Sequence, residues 1–198
     1  MDTASSGYTR RLSRVQSARW KAFVPNPYRW WLRRLDLGFV LDVGCGLGRS
    51  LKYLHGNGVG IDHNPDFVSS CRGDGLRAFT PDEFEGSRFD QPGKFDALIM
   101  MHVLEHLEAG QSDEILSRYL PMVRPAGRVV LVTPQERGFA SDPTHTVFVD
   151  GDELVALVRR HGLEADRWRS FPLPRSAGGW WIYNEFSVVA SVPERGRT

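Results

Sequence analysis

Residues 39–62 constrain the fold of this chain more than any other stretch. They open with an apolar run at 39–43, continue with glycines at alternate positions, and end in a second apolar run followed by Asp62. Between the two runs, apolar residues at 47, 51 and 54 have helical spacing. The order of strand, glycine turn, helix, strand and acid predicts a βαβ unit that holds an adenosine-containing ligand.

Each part of this unit has a physical role. Glycines adopt positive φ and let the backbone approach a ligand where a side chain would collide. We therefore expect Gly44, Gly46 and Gly48 to line the ligand, with Cys45 filling space beside it. A carboxylate at the end of the second strand can accept hydrogen bonds from both hydroxyls of a ribose, which is the role predicted for Asp62.

The spacing of the glycines bears on which cofactor is bound. A dinucleotide fingerprint reads G-x-G-x-x-G, whereas the glycines here read G-x-G-x-G and position 49 is arginine. This disfavours a nicotinamide-dependent dehydrogenase or epimerase. With no pyrophosphate to cradle, Asp42 can help to hold an ammonium group of the ligand; the alternative is that it only ties down the turn.

Three stretches resemble motifs of the class I S-adenosylmethionine (SAM) dependent methyltransferases. Residues 41–48, LDVGCGLG, resemble the first motif of that family, residues 95–106 its fourth strand and the next turn, and residues 125–133 its fifth strand. They occur in the family's order and at its usual separations. The resemblance implies an α/β, Rossmann-like sheet of seven strands with the last antiparallel, helices on both faces, SAM as cofactor and S-adenosylhomocysteine (SAH) as product.

Composition limits the alternatives. The 198 residues, 41% of them hydrophobic, suit one domain with a sizeable core. The net charge of +1 gives no global reason to expect nucleic acid or an anionic membrane, although residues 1–38 carry +6 and the remainder −5. Two cysteines form no disulfide framework, and neither a membrane-length apolar stretch nor a signal-peptide core is visible. We predict a cytoplasmic protein that neither spans a membrane nor binds nucleic acid.

The chain divides at about residue 38. Residues 1–38 are predicted to be a basic, tryptophan-rich helical segment, with helices at 10–23 and, opened by Pro27, at 28–35; residues 39–198 are the methyltransferase domain of the same unit. In the resembled family, segments before the first strand often cap the active site, so residues 1–38 are a candidate lid. The alternative is a helix that packs on the sheet edge.

The remaining strands are predicted at 59–61, 76–80, 95–101, 128–133, 163–170 and 183–192. Ligands of an open α/β sheet lie at the carboxyl ends of its strands. Further cofactor-binding candidates at those ends are His63, Asp82, Met101 and His102. In the resembled family the loop after the third strand holds the adenine, which implicates Asp82 with its neighbours Glu83 and Phe84; Asp82 is equally compatible with a helix cap.

The acceptor side is predicted from the chemistry of methyl transfer. The protein must align donor and acceptor and, for a hydroxyl, remove a proton, which suits histidine. His145 lies in the long segment 134–149, where methyltransferases commonly build the acceptor site, so we predict His145 as general base with Asp142 as its partner. A solvent-facing histidine after an Asp142 turn is the alternative. Glu105 and His106 match a pair common in the family, with His106 serving either chemistry or orientation.

The predicted function is methylation of a hydroxyl on a small molecule. A carbohydrate is the first choice of acceptor and a phenol or quinone-type ring the second. A SAM-binding partner protein without catalysis and an RNA or protein methyltransferase are the alternatives. Mg²⁺ held by Glu105, Asp142, His145 and Asp150 is conceivable, but no spacing requires it, and we predict no metal.

Overall fold

A computed structural model describes residues 27–108 and 110–194. Seven strands form one sheet: β1 Val40–Val43, β2 Gly58–Ile61, β3 Ala78–Phe79, β4 Phe95–Met101, β5 Val123–Pro134, β6 Arg169–Phe171 and β7 Glu185–Ser191. Their order across the sheet is β3-β2-β1-β4-β5-β7-β6. Strand β7 runs antiparallel to both of its neighbours, β5 and β6, whereas β1 to β5 are mutually parallel. The predicted seven-stranded sheet with its last strand antiparallel is confirmed.

Helices connect the strands and cover the sheet. The α-helices are α1 Pro27–Arg34, α2 Arg49–Tyr53, α3 Pro65–Gly73, α4 Pro81–Phe84, α5 Gln111–Tyr119, α6 Glu136–Phe139 and α7 Gly151–Arg160. Short 3₁₀ turns lie at Leu104–His106, Leu120–Met122 and Arg175–Gly179. The predicted helix over 28–35 is α1; the one over 10–23 lies outside the described residues.

The sheet has a core on each face because side chains alternate along its strands. In β4, Leu98 and Met100 pack with residues of α5 and α7, while Ala97 and Ile99 belong to the opposite core. That second core includes the fully buried Leu32 of α1. The predicted helices on both faces are therefore confirmed, and α1 is at least in part a packing element.

The predicted strand over 163–170 is wrong in extent. Only Glu164 forms an isolated bridge, to Ser191, before β6 pairs with β7 at Arg169–Phe171. Between these points the Trp168 ring packs against Gly151 and its Nε1 donates to Asp152 Oδ1 at 2.8 Å, which ties this stretch to the start of α7. Among the described helices, none is both long and apolar enough to cross a bilayer.

Candidate active site

The glycine turn after β1 presents one open side. Gly44, Gly46 and Gly48 have φ values of +76°, +52° and +71°, which L side chains rarely adopt. A Cβ at Gly44 would collide with Val103 and one at Gly48 with Leu76, so these two glycines permit close packing within the protein. A Cβ at Gly46 would meet no atom within 4 Å. Gly46 is therefore the glycine that faces free space.

Asp62 fixes this turn to the end of β2. Its Oδ2 accepts a hydrogen bond from Gly46 N at 2.8 Å, and its Oδ1 accepts one from Asn64 N at 2.9 Å. A carboxylate oxygen has more than one acceptor site, so both oxygens can still accept from a ligand. His63 Nδ1 lies 3.6 Å from Asp62 Oδ1. The structure thus places Gly46, Asp62 and His63 together, as predicted.

Asp42 is a buried acid with an incomplete set of partners. Its side chain is 1% exposed, and Oδ2 has no hydrogen-bond partner among the described residues. Burial, reinforced by the negative charge of Asp62 and opposed by Arg49, raises the pKa of Asp42 to about 7. A buried carboxylate oxygen without a hydrogen-bond partner favours the binding of a cationic ligand group.

The two cysteines lie against the same turn. Cys71 Sγ donates to the Gly46 carbonyl at 3.3 Å, and Cys45 Sγ lies 3.8 Å from that oxygen. The hydrogen bond that the Cys45 thiol donates to Cys71, followed by burial, raises the pKa of Cys45. Cys45 is therefore protonated at neutral pH, as the predicted space-filling role requires.

His145 presents its Nε2 atom as an acceptor. Its Nδ1 lies 2.8 Å from the Phe139 carbonyl, which can only accept, so we assign the proton to Nδ1. Nε2 then carries the lone pair and lies 4.0 Å from Glu105 Oε1. The imidazole also stacks on the Phe139 ring, with centroids 5.4 Å apart. This tautomer leaves Nε2 ready to take a proton.

The predicted pairing of Asp142 with His145 stays a prediction. Asp142 Oδ1 accepts from the Thr144 backbone N–H at 3.0 Å and from the Thr144 hydroxyl at 2.8 Å. The Thr144 carbonyl in turn lies 3.1 Å from His106 Nδ1. A backbone carbonyl, which the sequence does not reveal, therefore holds His145, and Thr144 links Asp142 to His106.

His106 supports the site from beside His145. Their rings meet edge to face with centroids 4.8 Å apart. Burial lowers the pKa of His106, although the neighbouring Glu105 charge opposes this. His106 is thus predominantly neutral at physiological pH. Ligand atoms of Glu105, His106 and His145, here called the histidine–carboxylate cluster, lie within 4.8 Å of one another and could hold a metal ion.

A second array lies beside the cluster. His102 has a φ of +60°, and its Nδ1 lies 3.2 Å from Glu105 Oε1 while its Nε2 lies 2.9 Å from Glu185 Oε1. Both glutamates are buried, and burial raises the pKa of Glu185 well above its ordinary value. Glu185 is not among the site residues predicted from the sequence. Its signal is a glutamate directly before the otherwise largely apolar run 186–190.

The remaining cofactor candidates have different outcomes. Met101 is 7% exposed, and its sulfur accepts from Ser50 Oγ at 3.5 Å. Asp82 lies exposed in the first turn of α4, where Thr80 is the N-cap. Phe84 is buried in the core and so is unavailable to an adenine. Asp82 stays a prediction, and Phe84 was a wrong candidate.

A family described as "Methyltransferase domain" matches residues 21–188. Among curated proteins, a ubiquinone biosynthesis O-methyltransferase of Xanthomonas oryzae pv. oryzae is 29% identical over 157 residues, which cover 74% of this chain and 62% of the relative. The chain therefore spans about three fifths of that relative's length. A tRNA U34 carboxymethyltransferase of Pseudoalteromonas translucida is 30% identical over 129 residues, covering 60% of this chain and 35% of that protein.

Solved structures show the same fold. The crystal structure of a SAM dependent methyltransferase from Archaeoglobus fulgidus superimposes with a TM-score of 0.66 at 20% identity. The match covers 82% of this chain and 92% of the other. At this identity the likeness concerns the fold, and it extends over nearly the whole of that molecule.

Proposed function

Because the chain belongs to the family of class I SAM-dependent methyltransferases, we propose that it methylates a hydroxyl of a small-molecule acceptor, with His145 as general base. The observation that carries this proposal is the 2.8 Å contact between His145 Nδ1 and the Phe139 carbonyl. Because Nδ1 is committed to that carbonyl, Nε2 is left to receive a proton. Histidine in this state is suited to deprotonating a hydroxyl.

The residues around the glycine turn fit SAM, the cofactor of this family. Gly46 leaves a space that any side chain would fill, and Asp42 has a buried oxygen in need of a donor. We assign Asp62 to the ribose hydroxyls, Asp42 to the ammonium group, and the turn at 44–48 to the methionine portion. His63 and Asp82 are assigned to the adenine side, and Met101 to the floor of the site.

SAM supplies an electrophilic methyl group on a sulfonium. His145 Nε2 removes the proton of the acceptor hydroxyl as its oxygen attacks the methyl carbon and the carbon–sulfur bond breaks to leave SAH. Nδ1–H remains bonded to the Phe139 carbonyl, which holds the ring in place. Glu105, 4.0 Å from Nε2, stabilises the imidazolium that forms.

The surroundings of His145 favour an aromatic hydroxyl over a sugar. Phe139 stacks on His145 and meets Phe148 edge to face, with ring centroids 5.3 Å apart. Phe148 is 37% exposed, so an apolar edge borders the site. Aromatic rings pack well on such edges. The ubiquinone biosynthesis O-methyltransferase among the relatives supports the same class, while the carbohydrate acceptor stays an untested prediction.

An RNA acceptor is the second candidate because one relative is a tRNA carboxymethyltransferase. Residues 39–198 carry a net charge of −5, and a phosphate backbone is ordinarily bound by lysine and arginine. The small-molecule acceptor is therefore the proposal, and the RNA acceptor is an outcome that the experiment must be able to detect.

The test offers SAM labelled in its methyl group together with phenol, 2-(hydroxymethyl)phenol, glucose or bulk tRNA. We expect transfer to the phenols, reduced about 10²–10⁴-fold in His145→Ala, with SAM affinity unchanged. His161→Ala is the matched control, because His161 pairs with Asp113 at the end of α7. Transfer to glucose or tRNA alone would contradict the aromatic acceptor, and full activity of His145→Ala would contradict the base.

A further inference from the structure

The two cysteines of the chain lie in contact with each other beside the glycine turn. The Cys45 thiol donates a hydrogen bond to Cys71, and both sulfurs meet the Gly46 carbonyl oxygen, Cys45 Sγ at 3.8 Å and Cys71 Sγ at 3.3 Å. Both residues belong to one buried cluster, and both are free thiols. Because the sequence holds no third cysteine, an intramolecular disulfide can form only between these two.

Packing fixes this contact between the sulfurs. A Cβ at Gly60 of β2 would lie 2.6 Å from Cys45 Sγ, and one at Gly48 would lie 3.0 Å from Cys71 Sγ. The sulfurs therefore occupy room that the two glycines leave free. Since a closely packed interior allows few other arrangements, the two thiols are held against each other and against the turn.

A small oxidant can reach the pair from the open side of the turn. Cys45 is 7% exposed and lies between Gly44 and Gly46, which are both partly exposed. A Cβ at Gly46 would meet no atom within 4 Å, so a molecule the size of hydrogen peroxide has room there. Cys71 is fully buried, but its sulfur is in contact with the carbonyl oxygen of Gly46. SAM bound to the turn at 44–48 covers the same side.

We propose that a peroxide oxidises Cys45 and Cys71 of the SAM-free protein to a reversible disulfide, and that this disulfide weakens SAM binding. The hydrogen bond from Cys45, opposed by burial, lowers the pKa of Cys71, and the thiol that loses its proton more readily is the nucleophile. The Cys71 sulfur attacks one peroxide oxygen, the O–O bond breaks, and the Cys71 thiol proton leaves with the second oxygen as water. The Cys45 sulfur then attacks the sulfenic acid on Cys71, and the departing hydroxyl takes the Cys45 proton as a second water.

The disulfide changes the turn in two ways. It removes the thiol proton of Cys71, so the Gly46 carbonyl loses its donor. It also draws the two sulfurs together to about 2 Å, closer than any hydrogen-bonded pair, which pulls the turn toward α3. Gly46 N donates to Asp62 Oδ2 at 2.8 Å, so the contact with the acid assigned to the ribose is disturbed as well. The groups that hold SAM therefore lose their geometry together.

The test exposes the reduced protein to hydrogen peroxide, with and without saturating SAM, and then removes the peroxide by desalting. Free thiols are blocked with iodoacetamide. Mass spectrometry after trypsin detects the disulfide as peptide 35–49 joined to peptide 53–72, two hydrogen masses below their sum. Calorimetry measures the SAM affinity before oxidation, after it, and after treatment with dithiothreitol.

Cys71→Ser is the matched control, because it cannot form the disulfide but keeps Met101 and the other methionines. Any effect of methionine oxidation on SAM binding therefore appears in this variant too. Thermal unfolding verifies that the variant is folded, and Cys71→Ala takes its place if it is not.

We expect oxidation of the wild type to join the two peptides and to weaken SAM binding about tenfold or more, the usual effect of a lost hydrogen bond to a charged group. Dithiothreitol should restore the affinity, saturating SAM should suppress the joined peptides, and peroxide should leave the SAM affinity of Cys71→Ser unchanged. A wild type that keeps both thiols, or that forms the disulfide with unchanged SAM affinity, overturns the proposal. An equal loss of affinity in peroxide-treated Cys71→Ser overturns it too.

Discussion

Replacing Asp42 with asparagine is expected to stabilise the cofactor-free protein at neutral and higher pH while weakening SAM binding. Burial raises the pKa of Asp42 from 3.8 to about 7. The folded state therefore retains a proton that the unfolded chain has lost, and the wild type loses stability as pH rises through this window. Asparagine does not ionise, so the variant does not lose this stability as pH rises.

The magnitude follows from the size of the shift. About three pH units at 1.36 kcal/mol each give about 4 kcal/mol, of which about 3 kcal/mol falls between pH 5 and pH 8. The free energy of unfolding of Asp42→Asn minus that of the wild type should therefore increase by about 3 kcal/mol from pH 5 to pH 8.

Urea unfolding of the SAM-free proteins at pH 5 and pH 8 measures the difference. Asp96→Asn is the control of opposite sign, because its hydrogen bond with Arg124 lowers the pKa of Asp96. For this control the series extends below pH 4, where the variant should lose stability relative to the wild type as pH rises, and between pH 5 and pH 8 it should show no further change. If the Asp42→Asn and wild-type curves run parallel, Asp42 is not the buried acid that titrates.

Calorimetry of SAM binding at pH 6 completes the test. An ammonium group beside Asp42 should drive its ionisation, so the wild type releases a proton on binding that the variant does not. Buffers of different ionisation enthalpy detect this difference. Affinity should fall about 10- to 100-fold in Asp42→Asn; unchanged affinity with identical proton release would show that Asp42 does not face the ammonium.

Three further predictions follow from the site. Gly46→Ala should abolish SAM binding. The control is Gly75→Ala, also at positive φ with free space around its Cβ, which should cost only about 1 kcal/mol of stability and bind SAM normally. If Gly46→Ala still binds SAM, the turn faces elsewhere. Asp142→Asn should lower kcat less than His145→Ala, because Asp142 acts through Thr144; an equal loss measured in the same acceptor assay would argue for a direct role. EDTA should leave the activity unchanged. A loss of activity in EDTA that Mn²⁺ or Zn²⁺ reverses would instead make the histidine–carboxylate cluster a metal site.

The cofactor side was predictable from sequence because its information is local. Gly46 and Asp62 are 16 residues apart in one βαβ unit, and their contact follows from the fold of that unit. The acceptor side was only partly predictable. His145 was predicted from its place in the chain, but the carbonyl that holds it belongs to the backbone, and Glu185 reaches His102 from 83 residues away because β7 returns beside β5.

The position of β7 between β5 and β6 has a consequence for how the chain folds. Strands β1 to β5 find all of their parallel partners within residues 40–134, whereas β5 acquires its second partner only when residues 185–191 arrive. Contacts between residues that are far apart in sequence form late and slow the folding of a chain. During synthesis on a ribosome, strands β1 to β5, within residues 40–134, are thus expected to become structured before β7 joins the sheet. In hydrogen exchange on the finished protein, amides of the three-residue edge strand β6 should open before those of β1 and β4.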